Sequence, residues 1–167
     1  MPLLTACLSF ATLVKAYCPE CTISLKSQWQ LISSTADHAD IILVARIIFK
    51  KKIKEPVKLT TITLQWHGAP IDHLCGSLYY QTPHKPFMAI EENMVCDSIW
   101  HAKKQQLTLP FKKQKPLAVN DTFSLVLTIP HTLSPLLKNG FFTIVAESLP
   151  APFQKSAHNQ KILIAST

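Results

Sequence analysis

The sequence predicts an all-β fold, a sandwich or barrel of seven or eight short antiparallel strands. Three observations carry that expectation. First, apolar residues alternate with polar ones in several short runs, the period-two mark of a strand with one buried face. Second, twelve prolines and only three glycines occur. The prolines fall between the apolar runs, where a residue that donates no ladder hydrogen bond ends a strand. Third, no long stretch has the spacing of an amphipathic helix. The chain has 167 residues, 47% of them apolar. That is long enough for one domain with a core and too apolar for disorder.

The elements follow in order. Pro2 to Val14 is uncharged, and Val14-Lys15-Ala16 ends in a small residue. Residues 1–16 therefore read as a signal peptide, too short to span a bilayer. Residues 17–167 remain as a single β-sandwich domain, expected to be secreted or otherwise extracytoplasmic (periplasmic in a bacterium). From Tyr17 to Ser34 the pattern fits neither period and reads as an early strand or an irregular segment. Asp40–Phe49 (DIILVARIIF) is a strand, rich in β-branched residues. Arg46 is placed outward with Ile42, Val44 and Ile48, and Ile41, Leu43, Ala45, Ile47 and Phe49 take the other face. Lys50, Lys51, Lys52 and Lys54 with Pro56 make a solvated connection. In Val57–Trp66, Ile62, Leu64 and Trp66 point inward.

Short strands are expected at Leu74–Gln81, at Phe87–Val95 and at Gln106–Leu109. Lys112, Lys113 and Lys115 then read as a basic loop. The strongest signal is Phe123–Ile129 (FSLVLTI). Phe123, Leu125, Leu127 and Ile129 share one face, Ser124, Val126 and Thr128 the other, and Pro130 stops the strand. Asn139-Gly140 is a turn pair that launches Phe141–Ala146. Lys161–Ala165 is the last strand.

Net charge is +7, with the lysines in small clusters. That suits solubility, or attraction to an anionic membrane surface or another acidic surface. Nucleic acid is not expected, because no recognition helix and no interleaved aromatic–basic motif occurs. Removal of the leader leaves Cys18, Cys21, Cys75 and Cys96, an even number for an oxidising compartment, so disulfides are expected. Of the three possible pairings Cys75–Cys96 is favoured, since both flank one polar excursion. Cys18 and Cys21 then form a local pair or find another partner.

Catalytic signals are weak. Cys18-Pro-Glu-Cys21 lacks the preceding strand that a thioredoxin-like pair needs. His67, His73 and Cys75 are near enough in sequence to be zinc ligands, but Cys75 is more simply a disulfide partner. No nucleophile-elbow pattern accompanies Asp72 and His73. Glu91 and Glu92, being adjacent, would face opposite ways on a strand. Asn120-Asp121-Thr122 is a glycosylation sequon. No enzyme, cofactor or metal is expected, and nothing in the sequence bears on oligomeric state. The apolar faces are compatible with a packed core or with a ligand-lined cavity, since both use the same residues.

Leu109-Pro110-Phe111-Lys112-Lys113, Thr122–Pro130, Thr132-Leu133-Ser134-Pro135 and Asn139-Gly140-Phe141-Phe142-Thr143-Ile144 together resemble the C-terminal half of the ML lipid-recognition domain. That family includes the mite group-two allergens, the ganglioside activator and the Niemann–Pick type C sterol carrier. Leu109 stands where the family has a cysteine, and Ile162–Ile164 lacks the cysteine of its last strand. The resemblance implies an immunoglobulin-like sandwich, not an enzyme, holding a lipid or other apolar small molecule between its sheets. Its lining residues would be Leu43, Ile47, Ile62, Leu64, Phe123, Leu125, Leu127, Phe142 and Ile144. Lys112 and Lys113 at the mouth would meet an anionic head group. A second reading is an exported sandwich or oligonucleotide-fold-like module that binds another protein, as an inhibitor or envelope adaptor. The N-terminal cysteine pair followed by the Asp40–Arg46 strand is loosely similar to netrin/inhibitor-type domains.

Overall fold

Alternation along the strands builds two antiparallel sheets of five strands each, packed face to face in a computed structural model. It describes residues 21–52 and 54–164, without the side chains of 114 and 115. The expected leader, residues 1–16, lies outside them, as does Cys18. In chain order the strands are β1 (Cys21–Ser34), β2 (Ala39–Lys51), β3 (Lys58–His67), β4 (Cys75–Gln81), β5 (Met94–Asp97), β6 (Ile99–His101), β7 (Gln106–Pro116), β8 (Asp121–Pro130), β9 (Phe141–Ile144) and β10 (Lys161–Leu163). Two short helices, α1 (Ser134–Leu137) and α2 (Ala151–Ala157), complete the described elements with two 3₁₀ turns. The first sheet runs β1-β2-β8-β4-β5 and the second β10-β9-β3-β7-β6.

Phe123, Leu125, Leu127 and Ile129 of β8 all enter the core, as their alternation requires. In β2 the register jumps between Leu43 and Ala45, so that Val44 has no partner of its own on β8. This bulge shifts the side-chain parity. Ala45, Ile47 and Phe49 point inward as expected, but Ile42 joins them in the core. Leu43, paired with Val126, is fully buried but does not belong to that core cluster. An unbroken period-two reading places Ile42 and Val44 outward, and both belong to the core.

The described residues form ten strands where seven or eight are expected. β1 is a full strand, but its pairing with β2 slips between Ser27 and Gln30 and again between Leu31 and Ser33. Each slip resets the alternation, which is why the segment fits no single period. The strand expected over Phe87–Val95 begins only at Met94, after a 3₁₀ turn at Glu91–Asn93. The basic run 112–115 is no loop but lies within β7. The ladder to β3 passes from Leu59↔Lys115 to Thr61↔Pro110, so the residues between bulge out of the pairing.

The expected Cys75–Cys96 disulfide does not form. Cys96 pairs with Leu78 across β4 and β5 and is buried in the core. Cys75 is exposed, with its Sγ 3.1 Å from His73 Nε2. The two thiols thus lie in different environments. Cys21 is buried in the core; the expected Cys18–Cys21 pair involves a residue outside those described.

The edge of the first sheet is covered. Ile23 N–H donates to Ser156 Oγ at 2.9 Å, just inside the C-terminal end of α2. Leu25 N–H donates to Gln160 Oε1 at 3.2 Å, and Leu163 N–H donates to Ser27 Oγ at 2.9 Å. The Ser156 and Gln160 side chains therefore satisfy two edge amides that would otherwise template another strand, and Ser27 on that edge accepts in turn from β10.

Candidate ligand-binding cleft

The residues expected to line an inter-sheet pocket are packed against one another. Ile47, Ile62, Leu64, Phe123, Leu125, Leu127, Phe142 and Ile144 belong to one buried cluster. At its centre the Phe123 ring meets Phe49, Tyr80 and Phe111 edge to face, with centroids 5.9, 5.8 and 5.6 Å away. Phe153 from α2 closes on Phe49 at 5.1 Å. These are the separations of rings in direct contact. Lys112 and Lys113 are exposed on β7.

A cavity of about 480 Å3 lies instead on the outer face of the first sheet. Its floor comes from four neighbouring strands: Lys26 of β1, Arg46 and Ile48 of β2, Thr122 of β8 and Gln81 of β4. The register sets them side by side, Lys26 with Arg46 in one row and Ile48, Thr122 and Gln81 in the next. Two turns wall it, one at His84 and one at Val119–Asn120. His84 and Asn120 both take left-handed backbone angles, φ 61° and 60°, a conformation that His and Asn adopt more readily than most residues.

The cleft is cationic. Lys26 and Arg46 line it, and among the described residues no Asp or Glu does. Arg46 Nε is buried without a hydrogen-bond partner among the described residues. Asp121 stands beside the wall turn in sequence, but its carboxylate is occupied. Ala118 N–H donates to Oδ2 at 2.8 Å and Tyr80 O–H to Oδ1 at 3.1 Å. Burial, and then the Asp121 charge, hold the Tyr80 hydroxyl above its ordinary range. Ser124 Oγ donates to Gln81 Oε1 at 3.0 Å, so Gln81 keeps its NH2 donors. A smaller cavity of about 90 Å3 adjoins, sharing Gln81 and Thr82 and continuing to Phe87 and Met88.

None of these cleft residues is a ligand-binding candidate in the sequence, where Asn120 and Thr122 stand out only as parts of a glycosylation sequon. For Arg46 the sequence predicts only an outward direction. A signal was present nevertheless: the chain has sixteen lysines and one arginine, and the arginine interrupts an otherwise apolar strand. His67 and His73 do not assemble a site; His67 Nε2 meets Thr143 Oγ1 at 2.9 Å. Among the described residues no group of three or more His, Cys, Asp or Glu is placed to hold a metal.

No protein-family model matches the chain, and comparison with curated proteins and with solved structures finds no match. The resemblance to the ML lipid-recognition domain rests on the residues quoted for it.

Proposed function

We propose that this protein is a non-enzymatic binding module that takes an anionic ligand on the outer face of its first sheet. The cationic cleft across β1, β2, β8 and β4 is the observation that carries the reading. Its volume falls within the range of ordinary small-ligand sites. Carriage of a lipid between the sheets is less favoured. The tail would have to part the rings around Phe123, and each buried ring contributes roughly 1.5–3 kcal/mol to the packed state. Among the described residues the thiol–imidazole pairing of Cys75 with His73 lies outside the cleft, so binding without chemistry is the simpler reading of the cleft.

Native mass spectrometry of the purified protein, with solvent extraction of anything released, tests this reading. The expected result is the mass of the polypeptide without a stoichiometric acyl or sterol companion. A lipid present at one per chain would overturn it.

A further inference from the structure

Of the chain's seventeen Lys and Arg side chains, the one guanidinium stands in the cleft. Arginine is not interchangeable with lysine: its planar fork offers two parallel donors to a pair of coplanar oxygens. Here the Nε end of that fork is buried and has no acceptor among the described residues, although an unmade hydrogen bond on a buried charged group is costly. Lys26 lies directly across the register from Arg46. Two like charges placed opposite on neighbouring strands repel unless something negative sits with them. The nearby carboxylate of Asp121 is already held by Ala118 and Tyr80. Ile48 and Val119 supply apolar wall beside the charges.

We propose that Arg46 anchors a carboxylate in this cleft, gripping it side-on through Nε and one terminal nitrogen while the ligand's apolar body lies against Ile48 and Val119. A carboxylate is satisfied by the one fork, which meets both of its oxygens, whereas a phosphate would leave further oxygens to be met by Lys26, Gln81 and Asn120. The inference rests on the reading of the cleft given above and names the ligand class at that site. A free short-chain acid and the C-terminus of a peptide present the same chemistry.

The single arginine gives one side-chain Nε–H signal in a proton–nitrogen correlation spectrum of the whole protein. Sodium hexanoate, titrated at fixed ionic strength, is expected to move that signal to saturation, and hexanamide to leave it in place. The tripeptide Ala-Ala-Leu, compared with its C-terminal amide, tests the peptide source. If its free acid outcompetes hexanoate, the proposal holds with a chain terminus as ligand; if hexanoate wins, it holds with a free acid. Arg46→Lys keeps the charge but loses the fork, and is expected to weaken hexanoate binding roughly tenfold or more, read from the amides of Asn120 and Thr122. Arg46→Gln should abolish it, with spectral dispersion confirming the fold of each variant. An unmoved Nε–H signal, hexanamide binding as well as hexanoate, tighter binding of inorganic phosphate, or full affinity in Arg46→Lys would each overturn the proposal. If the cleft amides still move in those cases, the cleft reading survives; if no probe moves them, both fall.

Discussion

Gly140 shows how a single residue's role differs from its sequence signature. Asn139-Gly140 reads as a turn pair that needs a left-handed glycine, yet no glycine among the described residues has a positive φ. The requirement comes from Trp66, whose ring lies where a Cβ on Gly140 would be, and Gly68 meets the same ring. Trp66 Nε1–H donates to Ala69 O at 2.8 Å, which fixes the ring. Gly140→Ala is therefore expected to destabilise the fold by about 1–3 kcal/mol through overpacking, measured by urea denaturation. The thiols make a second prediction at this scale. Burial, and then the charge of Asp97, push Cys96 up to about 12 from 9.0. The folded protein holds that proton more tightly than the unfolded chain does. The contribution to stability is therefore intact below pH 9.0 and is lost as pH rises towards 12. Denaturation across that window should show a falling stability whose slope is shallower in Cys96→Ala. In the folded protein, iodoacetamide should modify the exposed Cys75 and spare Cys96, as peptide mass spectrometry would report.

At the scale of elements, strands with unbroken alternation were legible and those with bulges were not. β8 and the inward set of β3 follow from period two alone. β1 and the first half of β2 do not, because each register slip exchanges the faces and local sequence does not mark where it falls. Arg46 is a partial case: its outward direction was legible, whereas the turns that wall it come from segments more than thirty residues away in sequence. The pairing of α2 with β1 was equally hidden, since Ser156 and Ile23 are 133 positions apart. Ser156→Ala removes the acceptor of an edge amide and is expected to cost about 1 kcal/mol. It should also raise self-association through the uncovered strand, visible as a concentration-dependent mass in light scattering. Unchanged stability would mean that the amide is equally well satisfied by water.

At the scale of the whole molecule, the described residues form a sandwich whose two inner faces meet around the Phe123 ring, with a charged cleft on one outer face. Its fold class was legible because it depends on periodicity. Its site was not, because a filled core and a lined pocket share one apolar pattern. What separates them is the meeting of Phe49, Tyr80, Phe111 and Phe123, drawn from four separate strands. A backbone amide shift map with hexanoate, a probe small and apolar enough for either location, most directly tells the outer cleft from the space between the sheets. With the ligand in the outer cleft, the largest shifts are expected on Lys26, Arg46, Gln81, Asn120 and Thr122. Shifts centred on Leu64, Phe142 and Ile144 would place the ligand between the sheets and contradict the outer cleft as its site.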